Sequence, residues 1–227
     1  MTFKELTVSE FVQAVAEGSP TPGGGSVSSL IAGLSSALVG MVGSLTAARL
    51  QAKATGKPSG KDTGACRENA ADPKLRLMLD MVSTANHLRT SFLAFADEDS
   101  AAYDRVIAAY RLPKSTEEEK EARSLAIQDA LKDACLVPAQ VVKLSLEVLR
   151  LAEAMAEHGM KSAMSDVAVA CLAAWAGMRG AHFNVRINLP SIKDESFVNQ
   201  VEGDMAICMS SGSGIFEKVM AQIEQAL

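Results

Sequence analysis

The chain is 227 residues long, 48% apolar and 22% charged, with a formal net charge of −5. That balance suits a soluble globular protein with enough apolar side chain to bury a sizeable core. It argues against nucleic acid as the main partner, because phosphate contacts need a basic face and no concentrated basic stretch is present.

Aromatic residues make up only 4%, whereas Ala, Leu, Met and Val abound, which favours helix packing over sheet packing. Near the start, "LTVSEFVQAVAEG" places Thr7 three residues before Glu10, the spacing of a capping box. A short helix is predicted there, with Phe11, Val12 and Val15 on its apolar face and Gly18 at its end. Pro20 and Pro22 set an extended approach, and Gly23, Gly24 and Gly25 allow a freely shaped bend. From Ser26 to about Leu50 the one plausible element is a helix, although Gly and Ser are frequent in it. The polar stretch 51–73 reads as a long surface insert.

Pro73 suits the first turn of a long helix in which Leu75, Met78, Val82, Leu88 and Phe92 recur at helical spacing. "LPKSTEEEKEAR" breaks at Pro113 and restarts, with Ser115 and Glu118, or Thr116 and Glu119, as a capping box. That helix meets Pro138, which either kinks it or separates two helices. A further amphipathic helix ends at Gly159, with His158 placed to complement its dipole. A small-residue helix follows to Phe183, then "NVRINLPSIKD" as a short extended or turn segment, then a C-terminal helix weakened around "SSGSG". No segment alternates polar and apolar residues as a strand does. The predicted fold is all-α: one domain over residues 1–227, a helical bundle around a buried central helix of small residues.

That central helix carries no charge over residues 27–48 and is long enough to cross a bilayer. Ser28, Ser29, Ser35, Ser36, Ser44 and Thr46 lower its hydropathy and no second clear span accompanies it, so no membrane partner is expected. A P-loop needs a lysine and then Ser or Thr after its last glycine, but Gly25 is followed by Ser26 and Val27. As a buried helix, its Gly33, Gly40 and Gly43 let neighbouring backbones approach, and close packing must offset roughly 1 kcal/mol per glycine relative to alanine. The "GGGS" amides at its start are either a platform for a ligand oxygen or a plain turn with Ser26 as N-cap.

Cys66, Cys135, Cys171 and Cys208 stand alone, without the close pairing of a zinc site. The opening "MTFKELTVSEF" has no apolar leader core, so four buried, reduced thiols in a cytoplasmic protein are expected. His87, His158 and His182 are scattered, and no serine–histidine–acid order stands out, so any chemistry is expected to need neither a metal nor a redox cofactor. Asp166 is the one charge between Lys161 and Arg179. Either its apolar setting desolvates it and suits it to acid–base work, or Ser165 or Asp166 caps the helix and faces water. Asp99 and Asp104, mid-helix, are either site acids or solvated surface acids, the second being favoured on local grounds.

"PTPGGGSVSSL", "DSAAYDRV" leading to "LPKSTEEEK", "IQDALKDACLVP" and "SDVAVACLAAWAGMRGAHFNVRIN" occur in that order. Together they resemble the cyclodeaminase/cyclohydrolase family, over most of residues 5–190. The resemblance implies an all-α fold, a homodimer or larger, and a tetrahydrofolate derivative as substrate, with no prosthetic group. It implies methenyltetrahydrofolate cyclohydrolase or 5-formiminotetrahydrofolate cyclodeaminase activity, both needing a proton acceptor and donor at the carbon between N5 and N10. Without an attached formiminotransferase domain, the cyclohydrolase is favoured. The matching positions make Asp166 the expected acid–base residue. Gly23, Gly24, Gly25 and Ser26 would shape the pocket, and Asp99 falls at an acid of the motif with Tyr103 in its aromatic place. Lys114 and Arg123 match positions suited to folate carboxylates, Arg123 alternatively pairing with Glu119. Asn184 and Asn188 take either a turn role or a pterin contact. Ser44, Arg49, Met160 and Ser162 depart from the family pattern, which leaves a non-catalytic folate-binding or interaction protein of the same fold as the alternative.

Overall fold

The computed structural model describes residues 2–55 and 72–226. Most of the 51–73 insert, with Cys66, lies outside the described residues. Six α-helices hold nearly all of the described chain: α1 (Val8–Ala16), α2 (Gly24–Thr55), α3 (Pro73–Tyr110), α4 (Glu117–His158), α5 (Met164–Asn188) and α6 (Glu195–Ala226). No strand occurs among the described residues.

The helix starts follow their capping chemistry. Thr7 and Glu10 form the reciprocal box at α1, Asp72 accepts the Lys74 amide at 2.8 Å ahead of Pro73, and Thr116 with Glu119 is the pair used at α4. Three stretches differ from the sequence expectation. α4 runs unbroken through Pro138, "NVRIN" continues α5 with a short 3₁₀ turn Leu189–Ser191 after it, and α6 passes through "SSGSG" without interruption. The first of these has a visible cause. Proline at 138 removes the amide that would bond the Ala134 carbonyl, and the Asn188 side-chain amide donates to that carbonyl instead at 3.0 Å.

The long helices run up and down. α2 packs on α3 and α5, with α4 beneath, and α6 covers α4 and α5. Small residues let the partners in. A methyl group on Gly33 would press on the Phe92 Cβ at 3.3 Å, and one on Gly177 would meet the Ser28 carbonyl at 2.8 Å. Three buried hydroxyls donate to backbone carbonyls: Ser35 to Ala170, Ser36 to Ala85 and Thr46 to Val42. This resolves the uncharged segment as a central helix. Its most apolar stretch has a mean hydropathy of 1.7, and more than half of it is buried inside the bundle.

Among the described residues, apolar surface remains uncovered on α1, α2 and α5. On α1 only Phe11 is buried, through an edge-on contact with Phe3, while Val12 and Val15 are exposed because no described helix lies over them. On α2, Leu34, Met41 and Leu45 are exposed at 57%, 39% and 48%. They belong to a strict three-four alternation along the outward face: Gly24, Val27, Ile31, Leu34, Leu38, Met41, Leu45 and Ala48, none of them fully buried. That is the seam spacing of a helix that pairs with another. Beside it, α5 exposes Val169, Leu172, Phe183 and Ile187.

Candidate active site

Gly24, Gly25 and Ser26 form the first turn of α2, so the amides of Gly24 and Gly25 have no intrahelical acceptor. Antiparallel to α2, α3 brings Asp99 to this turn. The Ser26 hydroxyl donates to Asp99 Oδ2 at 3.0 Å and lies 3.3 Å from the Ser100 hydroxyl. Ser26 is therefore not an N-cap; its side chain crosses to the next helix. Gly25 has no room for a side chain, since a methyl group there would place the Asp99 carboxyl carbon at 2.5 Å. Burial pushes the Asp99 carboxyl above the usual carboxylate range, and hydrogen bonds from the Ser26 hydroxyl and amide oppose part of that rise.

From the third side, α5 supplies Asn184. Its amide nitrogen donates to the Gly180 carbonyl at 2.9 Å, and a methyl group on Gly24 would lie 3.6 Å from that nitrogen. The cluster thus holds a carboxyl group partly removed from water, beside free backbone donors and one side-chain amide. That combination can accept and return a proton and can hold a polar ligand.

The other expected site residues lie elsewhere. Asp166 sits in the first turn of α5, half-buried, and Ala163 rather than Ser165 or Asp166 takes the N-cap position. Eighteen residues of helix separate it from Asn184, about 27 Å, so one chain does not bring Asp166 to the glycine turn. Its carboxyl faces the positive end of the helix dipole at a partly open surface, not an apolar interior. Asn188 serves the Ala134 carbonyl, a structural task. Arg123 donates twice to the Tyr110 carbonyl, at 3.0 and 3.3 Å, and lies over the Tyr110 ring, tying α4 to the end of α3 instead of pairing with Glu119. Lys114 is exposed in the turn between those helices, and Gly23 precedes α2, its carbonyl accepting the Val27 amide. Asp104 is exposed, as expected of a surface acid, while Asp99 is the acid that local sequence undervalues. The signal available is Gly25: a backbone that close admits a neighbour only where no side chain intervenes.

Burial pushes the Cys135 thiol up to about 11 and that of Cys171 up to about 12, whereas Cys208 is only half-buried. Among the described residues no three His, Cys, Asp or Glu side chains gather as a metal-binding group.

The profile of the Formiminotransferase-cyclodeaminase family matches residues 7–206. The chain belongs to that family. The methenyltetrahydrofolate cyclohydrolase of Methylorubrum extorquens is 34% identical over 96% of this chain and 97% of its own length. The formimidoyltransferase-cyclodeaminase of Rattus norvegicus is 32% identical over 85% of this chain, which spans 32% of that longer protein. The crystal structure of formiminotetrahydrofolate cyclodeaminase from Thermotoga maritima superimposes with a TM-score of 0.79 at 27% identity, covering 98% of both chains.

The four residues read from the sequence as departures from the family pattern, Ser44, Arg49, Met160 and Ser162, lie away from the glycine turn, on the second half of α2 and at the α4–α5 junction. Ser44 turns its hydroxyl back to the Gly40 carbonyl, Arg49 and Ser162 are exposed, and the Met160 amide donates to the buried Thr46 hydroxyl at 3.1 Å.

Proposed function

We propose that this protein is a folate one-carbon enzyme, a methenyltetrahydrofolate cyclohydrolase, with Asp99 as its general acid–base group. The observation that carries the reading is the Asp99 carboxyl, raised by burial and held against the Gly25 backbone by Ser26. Identity of 34% to a cyclohydrolase across nearly the whole of both chains supports that activity over the cyclodeaminase one. In the reaction, water adds to the carbon bridging N5 and N10 and gives its proton to the Asp99 carboxylate. The resulting tetrahedral carbon then releases N5, which takes the proton from Asp99. The hydroxyl proton leaves to solvent as the formyl carbonyl forms, so one water is consumed and one proton released. Gly24, Gly25 and Asn184 supply hydrogen bonds that orient the pterin end.

The active form is a homodimer joined along the outward seam of α2. The seam is self-complementary about a two-fold axis near Ser36: Leu34 faces Leu38, Ile31 faces Met41, Val27 faces Leu45, and Gly24 faces Ala48 of the second copy. Each pair of positions sums to the same number, and no charge interrupts the run. This accounts for the exposed leucines without a membrane.

The decisive assay follows the near-ultraviolet absorbance of 5,10-methenyltetrahydrofolate with purified protein, in a buffer where spontaneous hydrolysis is slow. Accelerated loss of the band is expected. If there is none, and ammonia is released from 5-formiminotetrahydrofolate instead, the cyclohydrolase assignment gives way to the cyclodeaminase. If neither reaction is accelerated, the catalytic reading is wrong.

A further inference from the structure

At the far end of α2, about 36 Å along the helix from Gly25, lies a cavity of about 630 Å³. Four cations border it: Arg49 and Lys53 from the last turns of α2, Lys74 from the start of α3, and Lys161 from the turn before α5. Among the described residues none of the four has a carboxylate partner. The one acid among the described wall residues, Glu157, lies 3.6 Å from Nζ of Lys218, which is not a wall residue, and 3.8 Å from Nε2 of its wall neighbour His158. The floor is apolar, with Leu50 and the fully buried Ile223. A chain of net charge −5 thus gathers around one concavity positive charge that no described carboxylate pairs, and does so where the α4–α5 junction is pinned to α2 by the Met160–Thr46 hydrogen bond. Unpaired cations crowded together repel one another, and an anion that bridges them relieves that cost.

We propose that this cavity is a binding site for a small molecule with two or more carboxylate or phosphate groups. The apolar floor takes its body, and Arg49, Lys53, Lys74 and Lys161 take its anionic groups, Arg49 offering the forked geometry suited to either anion. Two sources share this chemistry. One is the glutamate tail of a folate, a source that rests on the proposed function and on the two-fold seam, which sets Arg49 of one copy opposite Gly23 of the other. The second is a separate anionic metabolite.

The test is calorimetric titration of the full-length protein with sodium tripolyphosphate and with triglutamate at low ionic strength. One site per chain is expected for at least one probe, weakened by added salt. The double variant Arg49→Glu/Lys161→Glu changes two exposed side chains and should weaken binding at least 100-fold, on the basis of roughly tenfold for each charge-assisted hydrogen bond removed. Lys193→Glu, at the other end of α5, should leave binding unchanged. Absence of binding by both probes at millimolar concentration would overturn the site, as would equal weakening by Lys193→Glu. This readout needs no turnover, so it stands apart from failure of the catalytic assignment. A raised KM of the double variant for triglutamylated methenyltetrahydrofolate, with kcat retained, assigns the cavity to the substrate tail. An unchanged KM alongside abolished tripolyphosphate binding assigns it to a separate anion.

Discussion

At the first turn of α2 a carboxyl group is pressed against glycine backbone and partly removed from water. At the last turns of the same helix four cations surround a cavity, with no carboxylate among their partners in the described residues. The helix between them carries no charge, so neighbouring helices decide what each end can do. At one end α3 and α5 bring Asp99 and Asn184; at the other, α3 and the α4–α5 junction bring Lys74 and Lys161. Proton chemistry is favoured where a titratable group is desolvated, and ligand capture where charge is left unanswered.

The sharpest way to break this contrast is Gly25→Ala. The added methyl group displaces the Asp99 carboxyl, and turnover is expected to fall at least 100-fold, the lower range for removal of an acid–base group. Circular dichroism should show the helical content retained, while steady-state kinetics register the drop. Next comes the seam. Leu34→Glu places charges near the two-fold axis, and light scattering coupled to gel filtration should show monomers in place of dimers. A dimer that persists in this variant would move the interface elsewhere, the α5 face with Phe183 and Ile187 being next in line. A smaller effect is expected from Asn188→Ala, which leaves the Ala134 carbonyl inside α4 without a donor. An unsatisfied carbonyl in this part-buried position costs about 1 kcal/mol, to be read as a Tm lowered by roughly 2–4 °C with activity otherwise retained. Smallest of all, Cys135 and Cys171 should resist a thiol reagent at pH 8, because burial holds both thiols protonated.

Much of the bundle is legible in local signals. The capping pairs at Thr7 and Thr116, Pro73 at a helix start and Gly159 at a helix end all act as their residue types dictate. What local signals miss depends on contacts distant in the chain. Pro138 reads as a break because its compensation, Asn188, lies fifty residues away. Asp99 reads locally as a surface acid, since burial of a mid-helix acid depends on what the opposing helix leaves open. Gly25 leaves space for Asp99, whereas Asp166 lies half-buried at the start of its helix. The motif resemblance locates the glycine turn, and only packing shows which acid lies against it. The α2 seam is masked for a related reason. Apolar residues surround that helix on every side, and the three-four stripe separates from the rest only once α3, α4 and α5 cover the other faces.

The most direct test of the account is kcat for Asp99→Asn and Asp166→Asn, measured side by side on 5,10-methenyltetrahydrofolate across pH. The raised carboxyl of Asp99 predicts that wild-type kcat/KM climbs with pH along a limb lying above the ordinary aspartate value of about 3.9, as the base form appears. The same raised pKa makes the ionised form the costly one when folded. The stability this group contributes is therefore present at low pH and lost as pH rises through its folded-state pKa. Asp99→Asn should lower kcat by roughly 100- to 10,000-fold and remove both pH dependences, with Asp166→Asn keeping the limb. Normal turnover in Asp99→Asn, with activity abolished in Asp166→Asn, would contradict the assignment and move the proton chemistry to the start of α5.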